Sequence, residues 1–300
     1  MIKQSLLSLC ICISLISCRQ ETPIDNLKQN IQQLIEGKSA TVAVSIKGID
    51  PNDAVSINGD QHLPMQSVFK LHIAATALYQ IDQGKFRLQD SISLTPELIS
   101  KYQKLWSPLR EKYPEGGNIT IKEIIEYTLA WSDNLGCDLL IDQIGGTAVA
   151  QQYMQEIGID EVAIIDKEII IQSDWSRQYH NWSSTNSCNK FLQSLYENKD
   201  LLSPSSYAFL WTTLKETTTG KGKIRGELPE ETVVAHKTAY SGKNKEGIIG
   251  ATNDIGIVFL PDDSYFYISI FVSDSQEEET VNQQLMADIT KLAWDYFQTK

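Results

Sequence analysis

Strand-like segments fall only in the first and last thirds of this 300-residue chain, and that placement constrains the fold more than any other feature. Ala40 to Ile46 (Ala-Thr-Val-Ala-Val-Ser-Ile) reads as a strand, and a turn over Gly48 to Asp53 leads to a second strand toward Ile57. Three more follow near the other end: Thr232 to Thr238, Ala251 to Leu260 and Tyr265 to Val272. Between them the apolar spacing is helical. A helix is predicted over 67–83, ending at Gly84, and broken helical periodicity over 119–143. Gly145-Gly146 turns the chain into a helix at about 147–157, with others at about 186–197 and 204–216 and a terminal one at about 278–297. Residues 159–184 keep no period and are expected to form a long loop. One sheet must therefore be assembled from both chain ends. The expected class is α+β: an antiparallel sheet flanked by helices, plus a helical lobe.

The N-terminal residues stand apart from that pattern. Lys3, the apolar run Leu6 to Leu15 and the closing Leu15-Ile16-Ser17-Cys18 have the form of a bacterial lipoprotein signal over 1–17, with Cys18 the lipidated residue. An ordinary secretory signal with an incidental Cys18 is the alternative. The run is too short to span a bilayer as a helix. Residues 18–28 read as a tether and 29–300 as a single catalytic domain with two packed lobes. The membrane is thus expected to be met only through lipid at Cys18, and the domain is expected to be monomeric.

Formal charge is −12 and becomes −13 without residues 1–17. Such acidity argues against nucleic-acid binding, which needs a basic face. It also requires any site for an anionic substrate to be locally cationic. The four histidines are dispersed and no metal-ligand spacing is present, so no metal is expected. Beyond the signal and Cys18, the cysteines are Cys137 and Cys188. A buried thiol is the default for Cys137, and the compartment permits a disulfide.

Chemistry enters at Ser67-Val68-Phe69-Lys70, where loop gives way to helix. Positions i and i+3 share a helix face, so the Ser67 hydroxyl and Lys70 amine can lie side by side. A lysine in a dry pocket can take the proton of a serine nucleophile, and the free N–H groups of a first helical turn can hold developing negative charge. A helix N-cap is the structural alternative for Ser67. A second S-x-x-K, Ser187-Cys188-Asn189-Lys190, has nothing around it to support a role. The first is followed by Ser132-Asp133-Asn134 and then by Lys237-Thr238-Ala239.

S-x-x-K, S-D-N and a K-T-G-like triplet, in that order, are the signature of the penicillin-recognising serine enzymes. From about residue 40 to the C-terminus the chain resembles a class A serine β-lactamase. The strings Met65-Gln66-Ser67-Val68-Phe69-Lys70, Trp106-Ser107-Pro108 and His180-Asn181-Trp182-Ser183-Ser184 place the resemblance in the divergent extended-spectrum branch. It implies a periplasmic enzyme in which Ser67 attacks the lactam carbonyl. Ser132 relays a proton to the leaving nitrogen, Asn134 donates to the substrate's side-chain amide, and Asp133 holds the loop. The implied deacylating base is Glu168, which lies 36 residues after Ser132 and fourteen before Trp182, with Asp166 and Glu161 close by. Gln172 stands where the family commonly has the asparagine that helps hold the water. Asp166 occupies the place of an arginine that often pins this loop.

On the opposite wall the resemblance assigns Lys237 and Thr238 to the substrate carboxylate and the backbone N–H of Tyr240 to the oxyanion, beside that of Ser67. Lys223 is the preferred further cation, with Arg225 nearby, and it would bind as a point charge without a bidentate fork. Trp106 is either an aromatic gate at the cleft mouth or a core residue. Ala239 departs from the family glycine, and its methyl is expected to narrow the substrate range or slow the reaction. Lys70 and Glu168 are both open as the acylation base. The rival readings are a penicillin-binding peptidase and a β-lactam-binding sensor without turnover.

Overall fold

The computed structural model describes residues 22–300; the signal and Cys18 lie outside them. The first element is a helix, α1 (Pro23–Ile35), where the tether was expected to continue to residue 28. Thr22-Pro23-x-Asp25 explains the difference. The Thr22 hydroxyl accepts from the Asp25 N–H at 3.3 Å, the Asp25 carboxylate accepts from the Thr22 N–H at 3.1 Å, and Pro23 presets the first turn. Leu27 and Ile31 are buried on the inner face of this helix.

Among the described residues, ten strands form three sheets. The principal one joins β1 (Thr41–Lys47) and β2 (Ala54–Ile57) to β8 (Val234–Tyr240), β9 (Ile249–Phe259) and β10 (Tyr265–Ser275), in the order β2-β1-β10-β9-β8. All its pairings are antiparallel. The two chain ends meet where Val44 of β1 sits opposite Ile270 of β10. A second sheet joins β3 (Leu63–Pro64), β6 (Val162–Ala163) and β7 (Trp182–Ser183), and a third pairs β4 (Ser91–Leu94) with β5 (Gly117–Thr120).

β9 is buried on both faces because both are covered. On one side α1 and the terminal helix α11 (Glu279–Phe297) close a core around Val44, Phe266, Ile270 and Trp294. On the other lies the helical lobe: α2 (Phe69–Asp82), α3 (Pro96–Lys101), α4 (Pro108–Lys112), α5 (Ile121–Ala130), α6 (Asn134–Ile144), α7 (Thr147–Glu156), α8 (Glu168–Ile171), α9 (Thr185–Glu197) and α10 (Pro204–Lys215). Eleven of the fourteen residues of α2 are buried, as its apolar circumference requires of a central helix.

The expected long loop over 159–184 is interrupted by α8, by β6 and β7, and by a 3₁₀ turn over Trp175–His180. These pieces are too short to carry a sequence period. Cys137 and Cys188 are both buried and free.

Candidate active site

Ser67 lies in a 3₁₀ turn (Gln66–Val68) that runs directly into α2, so Lys70 stands one turn on with its amine beside the serine. Gln66 holds a left-handed backbone, φ +44°, and its side chain donates to Gln178 Oε1 at 3.0 Å. The non-glycine left-handed conformation is thus held by the loop that closes over it. Ser132 is also left-handed, φ +57°, and lies between α5 and α6. Buried Asp133 fixes that junction by accepting from the Ser107 hydroxyl and from the backbone N–H groups of Leu109 and Gly136. Burial pushes the Asp133 carboxyl up from its ordinary range, against the pull of these donors.

Four polar groups converge on Lys70 Nζ. It lies 2.9 Å from Ser67 Oγ, 2.8 Å from the Ser132 carbonyl, 2.5 Å from Asn134 Oδ1 and 3.0 Å from Glu168 Oε1. Both Lys70 and Glu168 are buried. The two neighbouring carboxylates are elsewhere: Glu161 pairs with His62, and Asp166 with His180 and Arg177. Gln172 Nε2 reaches Glu168 Oε2 at 3.5 Å. The second S-x-x-K is not brought to any such cluster, since Lys190 Nζ caps the Gly158 carbonyl at 2.6 Å.

From β8, Lys237 Nζ donates to Ser132 Oγ at 2.9 Å. Burial, reinforced by the charge of Lys70, holds the Lys237 ammonium well below the usual lysine range. Thr238 Oγ1 shares a hydrogen bond with Thr219 Oγ1 at 2.8 Å. Lys223 is buried behind this strand and donates to the carbonyls of Ala239 at 2.6 Å and Asn253 at 3.2 Å. Burial pulls its pKa down to about 8, against the raising charges of Asp254 and Glu279. Its ammonium therefore also anchors backbone, a use that point-charge binding alone did not anticipate.

These groups border one cleft of about 450 Å³. Ser67, Ser132, Gln172, Thr238 and Tyr240 are among the residues that line it. Trp106 stands at its rim, 57% exposed, with its indole N–H on the Trp131 carbonyl at 3.0 Å, so it is no core residue. Ala239 is buried in the β8 wall. Lys223 lines the cleft, and the buried amines of Lys70 and Lys237 lie against its Ser67 and Ser132 hydroxyls.

The β-lactamase enzyme family matches residues 26–297. The chain belongs to that family. The branch is class A: VEB-1 of Pseudomonas aeruginosa, a β-lactamase, is 40% identical over 277 residues, covering 92% of each chain. The extended-spectrum β-lactamase PER-1 of the same organism is 38% identical across 90% of this chain and 87% of its own. Among solved structures, the TLA-1 extended-spectrum β-lactamase superposes with a TM-score of 0.88 at 38% identity, over 92% of this chain and 99% of that one.

Two supports of the β-lactamase site escaped the sequence reading. Asp138, buried on α6, accepts from the backbone N–H groups of Glu168 at 2.7 Å and Ile169 at 3.1 Å and from the Tyr102 hydroxyl at 2.9 Å. A carboxylate inside the run Leu135-Gly136-Cys137-Asp138-Leu139-Leu140 was the available signal. Asn181 closes the neck of the loop, its Oδ1 accepting from the Ile165 and Asp166 N–H groups, each at 2.8 Å. Together they do the pinning expected of the missing arginine.

Proposed function

We propose that this class A enzyme hydrolyses β-lactams through an acyl-enzyme on Ser67, with Glu168 as the base that completes turnover. One observation carries the reading: a single buried ammonium, Lys70 Nζ, spans the Ser67 hydroxyl and the Glu168 carboxylate at 2.9 and 3.0 Å. A proton leaving Ser67 has Lys70 within direct reach and Glu168 one step beyond, so either serves acylation. The oxyanion forms against the N–H groups of Ser67 and Tyr240.

Ser132 Oγ accepts from Lys237, which leaves its own O–H free to protonate the departing lactam nitrogen. Asn134 holds the substrate's side-chain amide. Lys237, Thr238 and Lys223 take the ring carboxylate, and Trp106 shields the mouth. Water held by Glu168 and Gln172 then attacks the ester and frees Ser67. No step calls for a metal or other cofactor.

The same reading places the enzyme in the periplasm as a monomer tethered through lipid at Cys18. No helix among the described residues is long and apolar enough to cross a membrane.

The test is intact-mass spectrometry of residues 19–300 with excess cephalosporin, sampled from seconds to an hour. The wild type is expected to return to its free mass as drug disappears. A persistent adduct would instead make it a penicillin-binding peptidase or a sensor.

A further inference from the structure

The cleft carries a carboxylate that the proposed reaction does not use. Glu279, the first residue of α11, lines the cleft together with Gln283, one helical turn on, and with Lys223, Thr238 and Tyr240. An acid in a first helical turn is favoured by the helix dipole alone, so its position in the helix says little. Its surroundings say more.

Gln283 Nε2 donates to Glu279 Oε1 at 2.7 Å and fixes the carboxylate toward the cleft wall. Adjacent Glu278 is satisfied on the outside by Lys243 at 2.6 Å, whereas Glu279 makes no ion pair among the described residues. The nearest buried cation, Lys223, spends its ammonium on the carbonyls of Ala239 and Asn253. The charge of Glu279 is nevertheless felt in the cleft. It pushes the Tyr240 hydroxyl upward, second to burial, and raises Lys223 against its burial.

The position of Glu279 relative to the carboxylate site tells which part of a substrate would meet it. Thr238 is backed by Thr219 and Gly220, and a Cβ added at Gly220 would lie 2.4 Å from Thr238 Cγ2. Residues 219–220, Glu279 and Gln283 line the same cleft as Thr238, so its wall includes all of them. A lactam whose ring carboxylate sits at Lys237 and Thr238 extends its neighbouring ring substituent along that wall. Among the described residues that line the cleft, Glu279 is the one carboxylate.

We propose that Glu279, oriented by Gln283, forms a cation subsite that selects β-lactams bearing a fixed positive charge on the ring substituent beside the carboxylate, such as a pyridiniummethyl or quaternary-ammonium group. The inference rests on the assignment of the cleft to β-lactams and adds the charge class preferred within it. A carboxylate in a partly water-excluded cleft attracts such a cation more strongly than one in bulk solvent, and it repels an anionic group at the same place.

The test uses two cephalosporins with an identical acylamino side chain, one with a pyridiniummethyl and one with an acetoxymethyl ring substituent. Affinities are measured by calorimetry in a Ser67→Ala background, and kcat/KM with Ser67 intact. The preference for the pyridinium compound is expected to fall about 5- to 10-fold in Glu279→Gln and further in Glu279→Lys, with melting temperatures confirming that both variants fold. A preference that stays within about twofold of the parent in both variants would overturn the subsite. Absence of turnover of both compounds, with the binding preference still lost in Glu279→Gln, would sink the hydrolase reading and leave the subsite standing. No binding of either compound would overturn both.

Discussion

Asp138 accepts the backbone N–H of Glu168 at 2.7 Å, so the carboxylate of one helix fixes where the next carboxylate can stand. α6 begins two residues after Ser132, and Asp138 lies a little over one turn along it. One rigid helix therefore sets the distance between the serine at its start and the carboxylate above it. Lys70 closes the triangle from α2.

If Glu168 drives deacylation, Glu168→Gln should acylate normally and stay acylated. Loss of the general base is expected to slow deacylation about 10²- to 10⁴-fold. Intact-mass spectra of the variant with a cephalosporin would show a stable adduct over an hour. A variant that sheds the adduct at the wild-type rate would remove Glu168 from the role.

Asp138 makes stability depend on pH in an unusual direction. Burial, then the charge of Glu168, raises its pKa to about 6 from 3.8. The folded state therefore binds this proton more tightly than the unfolded chain. The stabilisation is fully present below about pH 4 and is lost as pH rises through 6, a change of about 3 kcal/mol. Urea unfolding of wild type and Asp138→Asn at pH 4.5 and 7.5 should show that loss as a difference between the two proteins. Equal pH dependence in both would refute it.

Lys223 ties two strands through the carbonyls of Ala239 and Asn253 and also lines the cleft, where the proposed function gives it the substrate carboxylate. Lys223→Met should then raise KM for anionic lactams about tenfold, with a smaller change in kcat, and lower stability by about 1–3 kcal/mol through the unpaired carbonyls. Steady-state kinetics and thermal melts separate the two effects. An unchanged KM would confine Lys223 to a structural role.

Ala239 is buried in the β8 wall where the resemblance implies glycine. Ala239→Gly is expected to raise kcat/KM for bulky cephalosporins by up to about tenfold, since a misplacement of about 1 Å can cost more than that. It should also cost about 1 kcal/mol of stability from the strand's added freedom. A rate unchanged across small and bulky substrates would show that the methyl does not limit the cleft.

Lipid at Cys18 is checked in cells. Labelled fatty acid should enter the wild-type protein, and Cys18→Ser should abolish the label and release the enzyme in soluble form. Labelling that persists in the variant would refute the tether.

The order Ser67–Lys70, Ser132–Asn134, Lys237–Thr238 was legible because each pair lies within one turn or one strand, where residue spacing alone sets geometry. The antiparallel sheet drawn from both ends was legible for a similar reason, since its strands alternate or run apolar locally. Helix α1 was readable from Thr22-Pro23-x-Asp25, a capping signal overlooked beside an expected tether. The choice of Glu168 over Asp166 and Glu161 came from counted separations, and no local pattern distinguishes the three.

What only the tertiary structure decided are the contacts between segments far apart in the chain. Asp138 beneath Glu168, Asn181 across the neck of the loop, Lys223 on the carbonyls behind β8 and Glu279 at the cleft's far end all depend on which surfaces pack together. A buried polar group must find its partner wherever packing brings one, and linear spacing does not carry that information. The chain by itself determined which chemistry was present and in what order; the fold decided which charges share a cavity.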